Sequence, residues 1–148
     1  MSEYVSCRAV TYTTNNEKLA CLTQSEIDLN TCFSDSEIVI KVHAASLNPL
    51  DLVVPHLAYS FVAGKGAKAY GRDYSGVIVK KGKCVADNWE IGDKVNGSYK
   101  HFFGERGSFS DYLILDPVKQ PFISHMRPLP KETIEKNDEF SVQAAWPL

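Results

Sequence analysis

The residues in this chain that could do chemistry are few and scattered. Cys7, Cys21, Cys32 and Cys84 include no C-x-x-C pair and have no histidine at metal-ligand spacing, so they read as reduced, mostly structural thiols. His43, His56, His101 and His125 form no H-E-x-x-H or other compact ligand set and read as ordinary strand or loop residues. His101 is the best cleft candidate among them, because the loop Tyr99-Lys100-His101-Phe102-Phe103 is flanked by glycines and such a loop can project over a site. No G-x-S-x-G occurs, and spacing alone argues for no Ser-His-Asp arrangement.

Two further patterns have to be weighed against plainer explanations. Gly64-Lys65-Gly66-Ala67-Lys68-Ala69 matches the dinucleotide fingerprint G-x-G-x-x-[GA], with Asp87 downstream, at about the twenty-residue spacing the fingerprint asks for. That fingerprint needs a helix whose N-terminus faces the pyrophosphate. Here Gly71, Gly76 and a strand-like run follow, so the segment reads as a loop. Lys80, Lys81 and Lys83, interrupted by Gly82, read more simply as a solvated turn than as a phosphate site.

The elements that must position any site are mostly strands. Glu37 to Ser46 places Ile38, Ile40, Val42 and Ala44 on one face and Lys41 and His43 on the other, the alternation of a half-buried strand. Tyr74 to Lys80 is rich in β-branched residues and ends at a turn around Gly82, which predicts a second strand. Ile91-Gly92-Asp93 reads as a turn into a third, for which Gly92, Asp93 and Gly97 take structural roles. A fourth is expected from Ser108 to Leu115, closed by Asp116-Pro117; there Asp111 shares a face with Phe109, Leu113 and Leu115 and spoils the pattern. Val5 to Thr14 and Lys18 to Thr23 flank Asn15-Asn16, a hairpin signal.

Helix is scarce. Asn48 can cap a short helix with Pro49 in its first turn, stopped by Pro55. Asn137 or Asp138 can cap a second that carries Phe140, Val142, Ala144 and Ala145. The segment from Pro117 to Asn137, with three further prolines, reads as a surface connection. The expected fold is therefore mainly β with minor α: a partly closed antiparallel barrel with short helices.

Composition limits the partners. The 148 residues are 44% hydrophobic and 23% charged with a net charge of -2, which suits one globular domain. No cationic field is present to hold nucleic acid or an anionic membrane surface. The start lacks the basic and apolar regions of a secretory signal, and no run approaches the ~18 apolar residues of a membrane span. The expected setting is cytoplasmic.

Four segments in order carry a family likeness: A-S-L-N-P-L-D from Ala45 to Asp51, G-R-D-Y-S-G-V-I from Gly71 to Ile78, W-E-I-G-D-K-V-N-G from Trp89 to Gly97, and G-S-F-S-D-Y from Gly107 to Tyr112. Together they resemble the N-terminal, GroES-like domain of the medium-chain dehydrogenase/reductase superfamily. Within it the chain is similar to the zinc-independent, quinone-oxidoreductase-like branch, and most like the fungal Yim-type proteins. The resemblance covers essentially the whole chain and implies a domain over residues 1–136, with 137–148 beginning the helix toward a cofactor-binding Rossmann domain that this sequence does not contain.

The resemblance also implies site residues and chemistry. Zinc-dependent relatives carry a cysteine and a Gly-His-Glu segment where this chain has Asn48, Arg72 and Asp73. Guanidinium cannot ligate a metal, so no catalytic zinc is expected. The intact family implies NADP(H) as cofactor and a small carbonyl or quinone substrate. Asn48 would then lie near the nicotinamide, and Asp51, Arg72, Asp73 and Tyr74 would line or brace the cleft. For Asp51 a purely structural role competes. The tyrosine that the family's quinone reductases often carry shortly after the position of Asp51 is absent, since Val53 and Val54 precede Tyr59. Two functional expectations follow: a truncated oxidoreductase that binds the cofactor weakly and does not turn over alone, or a non-catalytic module that self-associates or binds a protein through the face the Rossmann domain would cover. The fungal likeness adds peripheral organelle or lipid-surface association as a possible setting.

Overall fold

The computed structural model describes residues 2–12, 20–51, 68–100, 106–129, 133 and 138–145. Eight strands and one complete helix lie within them: β1 (Tyr4–Tyr12), β2 (Cys21–Asp28), β3 (Ile38–Ser46), β4 (Lys68–Ala69), β5 (Asp73–Lys81), β6 (Lys94–Ser98), β7 (Tyr112–Leu115), β8 (Ile123–His125) and α1 (Glu139–Ala145). All ladders are antiparallel, in two sheets of order β2-β1-β4 and β7-β3-β5-β6-β8.

β3 sits inside the larger sheet because its apolar residues have partners on both edges. Ile38, Val39 and Ile40 are fully buried; Ile40 faces Ile78 of β5 on one side and Leu113 of β7 on the other. Ile38, Ile40, Ile78 and Leu113, with Tyr74, Val95, Leu115 and Ile123, make the core. The alternation breaks between Val42 and Ala44, where His43 is the extra residue of a bulge. A bulge re-aims the side chain it carries, and the exposed His43 ring stacks on Phe140 of α1, centroids 4.3 Å apart.

The barrel is open, as two sheets rather than one continuous ladder. They meet where β1 runs beside residues 109–111: Val10 N–H donates to the Phe109 carbonyl (2.8 Å), Asp111 N–H to the Arg8 carbonyl (2.9 Å), and Ala9 bridges Ser110. Arg8 adds a fork, with Nε and Nη2 donating to the two Asp111 carboxylate oxygens at 3.0 and 2.9 Å. This pairing holds the Asp111 carboxyl below its ordinary range and explains why Asp111 interrupts the apolar alternation. The expected strand from Ser108 is correspondingly shorter, beginning at Tyr112.

α1 is part of the barrel's packing. Asp138 caps it, accepting from Ser141 N–H at 2.9 Å. Buried polar contacts dock it: Ser75 Oγ donates to the Phe140 carbonyl at 2.5 Å, and Asn96 Nδ2 to the Gln143 carbonyl at 3.2 Å. Ala144 is buried while Ala145 is exposed. The segment expected to be a surface connection contains β8, which pairs with β6 through Gly97 and Ile123. No helix among the described residues is long and apolar enough to cross a membrane.

Candidate functional site

The fingerprint-like glycine run does not precede a helix. Lys68 and Ala69 form β4 and pair with Tyr12 and Thr11, which removes the helix N-terminus a pyrophosphate would need. The basic cluster is likewise occupied: Lys80 meets Glu3 at 2.6 Å, Lys81 meets Glu90 at 3.3 Å and Lys83 meets Asp35 at 2.9 Å. All four cysteines are free thiols, with Cys7 buried and Cys21 and Cys84 exposed. His101 and His56 lie outside the described residues. His125 contacts Asp93 at 3.0 Å beneath the Trp89 ring, in the turn that Asp93 closes by accepting from Glu90 N–H at 2.7 Å.

What the fold does bring together stands where β3 ends and β5 begins. The register pairs Ser46 with Asp73 and Ala45 with Tyr74, so the chain leaves β3 beside the first residue of β5. It then turns helical at 49–51, with Asn48 as the cap and Asp51 three residues on. Asp51 reaches back, accepting from Asn48 N–H at 2.8 Å, while Asp51 N–H donates to the Asn48 carbonyl at 2.9 Å. This is the reciprocal half of a capping box. Because the backbone needs of the turn are met by Asp51, the Asn48 side chain is released from capping, and its Nδ2 donates to Asp73 Oδ2 at 2.6 Å and to Ser46 Oγ at 3.4 Å.

Arg72 is held by its carbonyl, which accepts from Tyr99 N–H at 2.8 Å. Its cation stands close enough to Asp51 to favour that carboxylate, whereas Asp73 opposes it. Burial is the dominant influence on Asp51, which is 4% exposed, and pushes its carboxyl up. Tyr74 is 1% exposed inside the core, where burial drives its phenol far upward, and its hydroxyl lies toward Gly97 of β6. Ser46, the strand-end hydroxyl that shares the Asn48 amide, is the member that sequence reasoning missed. Its only signal was its position two residues before Asn48 on the alternating strand.

The raised Asp51 carboxyl has a testable sign. A group whose pKa is higher folded than unfolded adds stability below its unfolded value, about 3.9 for aspartate, and loses it as pH rises through the folded value. Asp51→Asn keeps an oxygen for the Asn48 N–H, so at pH 7 the variant is expected to equal or exceed the parent in urea unfolding, with the difference shrinking toward pH 4. A variant weaker by more than about 1 kcal/mol at pH 7 would mean that the charge itself is required, as an ion partner of Arg72.

The site offers an amide, two carboxylates and a guanidinium in one polar cluster; in the same turn Leu47 and Leu50 are 66% and 47% exposed. The cluster supplies carboxylate and amide oxygens with no thiolate or imidazole among them, and Arg72 has no lone pair to give, so this donor set does not suit a soft divalent ion. The chain resembles known proteins in both sequence and fold. Residues 34–123 match the alcohol dehydrogenase GroES-like domain. The Saccharomyces cerevisiae protein YIM1 is 50% identical over 146 residues, 99% of this chain but 40% of the relative. A quinone oxidoreductase from Coxiella burnetii superposes with a TM-score of 0.66 at 23% identity, over 83% of this chain and 38% of the other. An Etr1p mutant solved with NADP and crotonyl-CoA superposes with a TM-score of 0.65 at 19% identity, over 97% and 40%. The chain thus spans well under half the length of these relatives, and it belongs to the GroES-like domain family of the medium-chain dehydrogenase/reductase superfamily.

Proposed function

We propose that this chain is the substrate-side domain of a zinc-independent, NADP(H)-dependent oxidoreductase acting on a small carbonyl or quinone, and that it does not turn over on its own. The observation that carries the reading is the convergence of Asn48, Asp51, Arg72 and Asp73 at the β3–β5 end. When bound, NADP(H) supplies the hydride. Asn48, oriented by Asp73, contacts the nicotinamide end, and Arg72 gives the cluster a permanent cation toward developing negative charge. Leu47 and Leu50 form an apolar rim that limits water at the cleft. The described strands form only antiparallel ladders, so they contribute one wall of the crevice and no parallel dinucleotide-binding unit. The exposed free thiols Cys21 and Cys84 support a reducing, cytoplasmic setting.

Gripping only the nicotinamide end implies a dissociation constant in the millimolar range. At about 1 mM NADPH a ligand at or below its dissociation constant stabilises by no more than about 0.4 kcal/mol, a shift of about 2 °C at this size. A thermal-shift titration of the 148-residue chain that saturates with a shift of about 5–10 °C would overturn the single-wall reading. The exposure of Leu47 and Leu50 also favours a second reading, a protein-contacting module. For that reading, light scattering should give a mass that rises with concentration, and a constant monomer mass counts against it.

A further inference from the structure

We infer that Asp73 is a positioning residue that fixes the Asn48 carboxamide with its oxygen as the open group, so that the site takes a ligand group that donates a hydrogen bond. The inference rests on the functional reading above and adds the polarity of the recognition.

Asn48 carries five hydrogen-bonding functions: a main-chain N–H and carbonyl, two Nδ2 hydrogens and Oδ1. Four are engaged. The main-chain N–H donates to Asp51 Oδ2 at 2.8 Å and the carbonyl accepts from Asp51 N–H at 2.9 Å. Nδ2 has two hydrogens and two oxygen neighbours, Asp73 Oδ2 at 2.6 Å and Ser46 Oγ at 3.4 Å. Oδ1 is the function that remains, since no donor among the described residues reaches it.

The orientation follows from chemistry. An ionised carboxylate only accepts, so it selects the amide rotamer that turns nitrogen toward it and rejects the flipped one, which would set two acceptors face to face. The placement is rigid, because Asp73 and Ser46 are register partners at the end of the β3–β5 ladder and the Asn48 backbone is clamped by Asp51. A ligand at Asn48 therefore meets an acceptor with no alternative donor. A primary carboxamide or a hydroxyl satisfies it, whereas an isosteric methyl ketone leaves it unpaired. At a half-exposed position one such hydrogen bond is worth a factor of about five.

The test uses two probes on the 15N-labelled 148-residue chain: nicotinamide, and 3-acetylpyridine, which has the same ring with a methyl ketone in place of the carboxamide. Each is titrated to tens of millimolar, with the Asn48 side-chain amide resonances as readout. Nicotinamide is expected to shift them and to bind about fivefold more tightly than 3-acetylpyridine. In Asp73→Asn, whose shape is kept but which can pair with either amide orientation, the preference is expected to fall below about twofold, with faster solvent exchange of the Asn48 δ-amide protons. Equal binding of the two probes by the parent chain, or a preference unchanged in a folded Asp73→Asn, would overturn the inference and leave the functional reading standing. If Asp73→Asn does not fold, Asp73→Ser takes its place, and the parent comparison still decides the ligand polarity. Absence of any shift with either probe would overturn the functional reading and the ligand class together.

Discussion

Gly71→Ala is expected to cost about 2–5 kcal/mol in urea unfolding, and with it about 6–20 °C in melting temperature. Two causes add. Gly71 has φ +91°, a conformation in which an L-residue is strained by about 1–2 kcal/mol. A Cβ there would stand 2.4 Å from Phe109 Cδ1, 2.5 Å from Ser108 Oγ and 2.6 Å from the Phe109 backbone nitrogen, overpacking worth about 1–3 kcal/mol. The neighbours cannot easily retreat, because Ser108 and Phe109 donate their N–H groups to the Gly71 and Tyr70 carbonyls at 3.1 and 3.0 Å. The site should suffer with the fold, since Gly71 immediately precedes Arg72 and Asp73. A loss below about 1 kcal/mol would mean that the 108–109 strap yields, and that its approach to Gly71 is not what sets the entry to β5.

Ile40→Ala is expected to cost about 3–4 kcal/mol, near the middle of the range for emptying a buried aliphatic position. Ile40 has no exposed surface and lies between Ile78 and Leu113 on neighbouring strands, so the void has walls on both sides that hydrogen-bonded ladders hold apart. Leu22, 74% exposed on β2, is the control: its replacement by Ala should change stability by no more than about 0.5 kcal/mol. Comparable losses at the two positions would place the core elsewhere than between β3, β5 and β7.

The elements that were legible are those whose stability is written locally. Ile40 and Val42 alternate with Lys41 and His43, and Tyr74 to Lys80 ends in a glycine turn; both strands formed where that pattern ran, and Asp138 was a readable cap. What escaped depends on distant partners. Asp111 looks misplaced until Arg8, 103 residues away, forks onto it. β8 has three residues in a proline-bearing stretch and exists because β6 offers it a ladder. Likewise Asn48, Asp51 and Asp73 could be singled out by family likeness, but the division of labour among them could not. That Asp51 satisfies the turn and so frees the Asn48 amide for Asp73 is a matter of register between β3 and β5, which no local pattern encodes.

The position of β3 between β5 and β7 also has a consequence for biosynthesis. β3 is translated early, but β7 ends at Leu115 and β3 at Ser46, so its second ladder waits for roughly 70 more residues, several seconds at ordinary ribosomal rates. During that interval Ile38, Val39 and Ile40, all fully buried in the finished domain, have at most one neighbour to cover them. Nascent chains of this protein should therefore lean on ribosome-associated chaperones until β7 emerges, and release of the nascent chain from them should track the emergence of residues 112–115 from the ribosome.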